Sequence, residues 1–509
     1  MRQVAPTSGP LAVTQRTPAS PQPGRHRGAL LLLVAVVLLV FVLVAAASVL
    51  HPDTAAAALP GEHLWADTVF TIGVDEDEGA AAVATDASGY PVVVGTAVTS
   101  EITTMEGYKD IRYYSYDLTG VPRWTAVPTT WDNPENPGFD DLAYGVVVDD
   151  ARACAYVVGK TEGAGTGSDI LVLKLRDADA AGPLNGELLW ARTFDGPAGN
   201  DDVAEAVALD TYGNVYVTGS SQRADNTEDV ITLKYRPDGT LAWSRRHNNS
   251  TTRFDAGFAI AVRGTAVYVA GVSSRLGHRK DVVLIRYSLA GERQWVRYYD
   301  DALNRDETVT GIAAAEGAAY VCGGGKSLSY GPGDALLLKY LSDGTRAWAR
   351  WVAGSGGLDD AWNDVAVDDV GRAHVTGFLN RAATGDDIVT RMYSLGGTLV
   401  WQRGFSSAGY RVDTGTALAV GGVRTYVCGV LAGLEGDTDI VVLKYRAGGA
   451  TLWQTSYPDP LGYPGEVDEG FDWASDIALA PGLVYVVGQQ SVDHGGGAEP
   501  DFLTLAIQR

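Results

Sequence analysis

Asp229-Val230-Ile231-Thr232-Leu233-Lys234-Tyr235-Arg236-Pro237-Asp238-Gly239-Thr240-Leu241-Ala242-Trp243 is the stretch that decides the fold. A run of β-branched and aromatic residues ends at Tyr235, the chain turns at Asp238-Gly239, and a second run leads to Trp243. Asp and Gly accept the positive φ that a tight turn between twisted strands needs, so the stretch reads as a β-hairpin.

Working outward, the spacing Gly239-x-x-x-Trp243 recurs. The tryptophans are Trp65, Trp124, Trp190, Trp243, Trp295, Trp348, Trp401 and Trp453, each preceded four residues earlier by Gly61, Gly120, Gly186, Gly239, Gly291, Gly344, Gly397 or Gly449. The repeat is about 53 residues long. Every unit also has a Gly closing a Tyr/Val-rich run (Gly95, Gly159, Gly219, Gly271, Gly323, Gly377, Gly429, Gly488) and an Asp opening the next run (Asp110, Asp169, Asp229, Asp281, Asp334, Asp387, Asp439, Asp501).

Between successive tryptophans four strands can be read, for example 203–210, 215–219, 230–235 and 240–245. The third is nearly all apolar in several units, as at 170–173, 282–285, 335–338 and 440–443. That pattern signals burial on both faces. The first is rich in alanine, suiting the crowded strand nearest an axis.

One such unit cannot cover its own apolar faces, so the row must be capped or closed into a ring. Residues 61–70 read as an outermost strand with no unit before it, and residues 501–507 as a third strand with no fourth after it. The expectation is an all-β fold: a single eight-bladed β-propeller of four-stranded blades over residues 61–509, its last blade closed by the N-terminal strand.

Before the repeats, residues 29–50 are 22 residues without a charge, enough at about 1.5 Å per residue to cross a bilayer as a helix. Arg25, His26 and Arg27 precede them. The positive-inside tendency then makes residues 1–28 a disordered cytoplasmic leader and 51–60 a linker, and places the propeller outside the membrane. A signal peptide cleaved at the alanines beyond Val44 exports the same repeats as a secreted protein.

Net charge is −23. Residues 1–60 carry four Arg and one Asp, or +3, leaving −26 on the repeats, so no nucleic acid partner is expected. Cys154, Cys322 and Cys428 fall in different, non-adjacent units and read as buried free thiols.

The motif D-[IV]-x-x-x-K-Y-x-x-D-G-x-x-x-W resembles the unit of bacterial SBBP-repeat proteins, a similarity covering residues 61–509. The resemblance implies an exported β-propeller and no particular chemistry. The family's name implies seven blades, the runner-up, where eight units are counted here. The Gly-x-x-x-Trp spacing is also similar to the tryptophan-docking repeat of pyrroloquinoline quinone dehydrogenases. Those enzymes often carry adjacent cysteines over the cofactor, and no two cysteines here are neighbours.

An acid lies about eight residues before the end of each first strand: Glu78, Asp141, Asp202, Asp255, Asp306, Asp360, Asp413 and Asp472. In a ring they would encircle one channel mouth, concentrating cations or basic ligands, or each would cap a turn through backbone N–H groups. The variable loops 131–140, with Asp132, Glu135 and Asp140, and 458–471, with Asp459, Glu466, Asp468 and Glu469, are the second candidates. Such oxygen-rich loops could hold Ca2+, although none has the spacing of an EF-hand. No other cofactor is predicted, and no G-x-S-x-G or H-E-x-x-H motif is present. The leading expectation is a membrane-tethered, extracytoplasmic scaffold whose loops bind a protein or carbohydrate. The alternatives are a propeller enzyme, such as a quinone-dependent dehydrogenase, and a purely structural surface protein.

Overall fold

A computed structural model describes residues 60–509 apart from 70–78, 101–106, 125–129, 135–136, 164, 166, 178–185, 250–253, 276–278, 302–304, 328–330, 410, 434–436, 458–469 and 494–497. The leader, the apolar segment 29–50 and most of the linker lie outside the described residues, as do Glu78, Glu135 and the acids of 459–469.

Eight antiparallel sheets follow one another along the chain. Blades 1 to 7 take their four strands in sequence order, as in blade 3 with Asp202–Leu209, Val215–Gln222, Glu228–Tyr235 and Leu241–His247. Blade 8 is built from Trp473–Ala480, Leu483–Asp493, Ala498–Gln508 and, as its outer strand, His63–Val69. The N-terminal strand therefore does close the last blade. The first strands of successive blades touch all round, blade 8 against blade 1 included, so the row of repeats is a closed ring.

Each first strand carries a β-bulge at the same place, for example between Ala204 and Ala206 and between Gly257 and Ala259. A bulge adds a residue and bends the strand, which suits the strand around the axis. The third strands are buried on both faces, with Ile170–Leu173 and Val282–Ile285 essentially inaccessible. Cys154, Cys322 and Cys428 are buried and free, each on the second strand of a different blade.

The repeated motif works between blades. Trp348, on the outer strand of blade 5, donates from Nε1 to the Leu395 carbonyl of blade 6 at 3.1 Å. Lys339 Nζ reaches the same carbonyl at 2.9 Å, and Arg350 Nε donates to the Gly397 carbonyl at 2.7 Å. Trp243 and Lys234 hold Leu289 in the same way, and Trp190 and Lys174 hold Pro237. A glycine of one unit thus docks against the tryptophan of the unit before it. The Lys-Tyr and Gly-x-x-x-Trp signatures are ring glue.

Of the outer strand of blade 1, Thr130–Trp131 is the described part. One blade adds to the four-strand pattern. In blade 6 an extra strand, Arg411–Val412, pairs in parallel with Gly385 and Asp386.

Candidate functional site at the channel mouth

The recurring acids open the first strands at the ring face that carries the blade-to-blade connections. Asp141, Asp202, Asp255, Asp360, Asp413 and Asp472 are buried. Most reach back to the connection before them: Asp255 accepts from Asn249 N–H at 3.1 Å, Asp360 from Gly354 N–H at 2.6 Å and Asp141 from Asn133 N–H at 2.9 Å. Asp360 and Asp472 also accept from Asn380 and Ser491 N–H on the adjacent strand. Burial raises the pKa of Asp202, Asp255 and Asp360, and takes Asp141, which also feels Asp110 and Asp132, to about 7.

Asp306 stands apart. It is partly exposed and accepts from Arg279 at 3.1 Å and from Lys280 N–H at 3.1 Å. The buried acid of blade 5 is its neighbour Glu307, which lies opposite Gly325, two residues beyond the repeat glycine Gly323, just as Asp255 lies opposite Ser273, two beyond Gly271. The repeat position in this blade therefore belongs to Glu307. Burial beside Asp301, Asp281 and Asp300 pushes its carboxyl up to about 9.

Four of the eight third-strand aspartates are held by arginines: Asp229 by Arg246 at 3.4 Å, Asp334 by Arg305 at 2.8 Å, Asp387 by Arg381 at 2.7 Å, and Asp281 by Arg275. Of the loop acids, Asp140 accepts from Lys109 N–H at 3.0 Å.

What breaks the eight-fold pattern lies on blades 6 to 8. Four of the 12 tryptophans stand outside the repeat; three of these, Trp131, Trp351 and Trp362, are largely buried, while Trp473 is 44 % exposed. Trp473 opens the first strand of blade 8, where other blades have residues such as Gly79, Ala256 or Thr414. It borders a cavity of about 440 Å3 lined also by Asn363, Phe378, Asp386, Val412, Thr414 and Thr416. Asn363, the bulge residue of blade 6, donates from Nδ2 to Thr414 Oγ1 at 3.0 Å and to the Gly415 carbonyl at 2.8 Å. Asp386 accepts from Asn380 Nδ2 at 2.6 Å, and the extra strand sets Val412 beside it.

Beneath this mouth the inner strands carry Asp364 and Asp476 where other blades have Ala or Gly. Asp364 accepts from Leu418 N–H at 2.8 Å on blade 7 and Asp476 from Val83 N–H at 2.9 Å on blade 1. Their position deep in the ring raises both carboxyls to about 6. The groove as a whole offers one exposed indole, an apolar floor and a rim of amide, hydroxyl and carboxylate groups. A second cavity of about 350 Å3, on the opposite face between blades 5 and 6, is bounded by Arg263, Glu316, Lys339 and Asp369 and has no exposed aromatic residue.

No family model matches the chain, and no curated protein matches it. Among solved structures, the Pseudomonas aeruginosa periplasmic gluconolactonase is 16 % identical over 72 % of this chain and 96 % of its own, with a TM-score of 0.41. The β-propeller domain of the Trilobed protease from Pyrococcus furiosus is 8 % identical over 84 % and 98 %, with a TM-score of 0.38. A polysaccharide lyase of family PL25, an ulvan lyase, is 10 % identical over 70 % and 90 %, with a TM-score of 0.39. Likenesses at this level carry no argument about chemistry, and the fold rests on the strand pairing itself.

Proposed function

We propose that this chain is an extracytoplasmic β-propeller that binds carbohydrate in the mouth groove formed by blades 6 to 8. The observation that carries the reading is Trp473, an exposed tryptophan outside the repeat, beside Asn363, Asp386, Thr414 and Thr416. An indole face stacks on the C–H face of a sugar ring, and neighbouring amide, hydroxyl and carboxylate groups fix its hydroxyls. Export rests on the apolar segment 29–50 and on the resemblance of the repeat to SBBP units, with the membrane as the partner of that segment.

The test is a glycan array probed with the propeller, followed by titration of the best hit against wild type and Trp473→Ala. We expect saccharide binding that the substitution weakens by about 2 kcal/mol, roughly thirtyfold. A flat array, or a hit whose affinity Trp473→Ala leaves unchanged, would defeat the reading and favour a scaffold with no ligand in this groove.

A further inference from the structure

The turns that join first to second strands, and the hairpins that join third to outer strands, open on the ring face away from the mouth. Apart from Tyr144 on an inner strand and Phe139, Leu358, Val412, Phe471 and Trp473 at the mouth, every exposed large apolar side chain among the described residues lies at that far face. Single exposed aliphatics scattered over a surface are ordinary. A one-sided gathering marks a binding surface.

The gathering departs from the eight-fold repeat in an ordered way. Where the chain leaves the third-strand hairpin for the outer strand, blades 6, 7, 8, 1, 2 and 3 present Leu399, Leu452, Leu64, Val121, Leu188 and Leu241, each between 39 and 57 % exposed. Blades 4 and 5 present Arg293 and Arg346 there instead. The aliphatic side chains thus form an arc along the rim centred on blades 8 and 1, and the two blades that lack one lie across the ring from that centre. Nearer the axis, the exposed turn residues Tyr212, Val370 and Val423 extend the arc inward on blades 3, 6 and 7.

The chain enters the ring in the middle of this arc. His63–Val69, the outer strand of blade 8, begins at the far face, where Gly61 N–H donates to the Gln508 carbonyl at 2.9 Å. Residues 51–60 separate that point from the uncharged segment 29–50, at most about 35 Å of extended chain. We propose that the far face, led by the arc from blade 6 round to blade 3, docks on the surface of the lipid bilayer that holds segment 29–50. The proposal rests on that segment being the membrane anchor. So short a tether keeps the arc at the interface at high effective concentration. Aliphatic and tyrosine side chains suit the headgroup boundary, into which an amphipathic surface sinks by about 5 to 10 Å. Among the described residues, both sets of recurring acids open strands at the mouth, a strand length of about 23 Å away and beyond the reach of screened repulsion from lipid phosphates. Docking in this sense turns the groove beside Trp473 outward.

The experiment reconstitutes the full chain in phosphatidylcholine vesicles with a nitroxide at Leu452→Cys in the arc or at Leu358→Cys at the mouth, both exposed positions. Cys154, Cys322 and Cys428 are buried and leave the introduced thiol as the site of labelling. Flotation after an alkaline carbonate wash reports the anchor, and collision of the nitroxide with oxygen against a water-soluble nickel chelate reports depth. The label at 452 should lie about 5 to 10 Å below the lipid phosphates, and the label at 358 in water. Leu241→Cys, at the far end of the arc, should agree with 452 and guards against a local disturbance there. Protein that floats with the labels at 452 and 241 in water overturns the docking and leaves the anchor intact; protein that does not float overturns both. Equal depth at 452 and 358 would overturn the docking as well. So would spin–spin broadening at 452 without access to oxygen, the sign of a second copy on this face.

Discussion

Replacing Gly397 by alanine tests whether the blades are held together by docking of each repeat glycine on the preceding tryptophan. Gly397 has φ +77°, and a Cβ there would lie 2.7 Å from Trp348 Cδ2 and 2.8 Å from Cγ. The left-handed backbone alone costs an alanine about 1 to 2 kcal/mol. Relief of the clash must shift Trp348, which sits 8 % exposed between Tyr320 and Tyr393 and bonds the Leu395 carbonyl. Losing that bond and part of the packing adds about 2 kcal/mol, for a total of roughly 3 to 4 kcal/mol. Gly264 is the internal control, with φ +59° and nothing within 4 Å of its would-be Cβ. Gly264→Ala should therefore cost only the backbone term. Urea unfolding followed by tryptophan fluorescence and by circular dichroism reads both variants against wild type. Equal losses in the two, within about 0.5 kcal/mol, would refute the docking account and leave only backbone strain.

Deleting residues 63–69 removes the strand that pairs with Phe502 to Ile507 and leaves blade 8 with an open edge. The truncated propeller should melt earlier and self-associate in light scattering; a monomer with wild-type melting temperature would break the closure account. A second prediction concerns pH. Asp364 and Asp476, raised to about 6 in the fold against about 3.9 when unfolded, hold protons in the native state that the unfolded chain has released. Their contribution to stability is thus fully present below about pH 4 and declines as pH rises to about 6. The double variant Asp364→Asn/Asp476→Asn should flatten that part of a urea-midpoint profile measured from pH 4 to 7, and an unchanged slope would show that these groups do not titrate in that window.

The hairpin at Asp238-Gly239 and the eight Gly-x-x-x-Trp units were enough to read the ring, because turn chemistry and strand patterning act within a few residues. That the glycine and tryptophan of one motif serve two different contacts, each with a neighbouring unit, is invisible in the spacing. It depends on how blades stack. The acid of blade 5 shows a narrower failure. The stretch between the first-strand acid and the repeat glycine changes with turn length, from Asp255 to Gly271 in one blade and from Asp202 to Gly219 in another. With Asp306 and Glu307 adjacent, counting residues could not decide which is buried, whereas the cross-strand register does.

The groove at the mouth was illegible for a different reason. Asn363, Thr414 and Trp473 each lie on the first strand of a different blade and are more than 50 residues apart in sequence, so no motif joins them. Only the closed ring sets them side by side. A usable signal did exist: once eight of the 12 tryptophans are assigned to the repeat, the rest must be explained singly, and three of those four are largely enclosed by protein. Trp473 is not. A large apolar side chain left 44 % exposed where an inner strand begins is not accounted for by the docking between blades that explains the repeat tryptophans. In a molecule built by repetition, the fold consumes the positions that recur, and chemistry is to be sought where one copy departs from the rest.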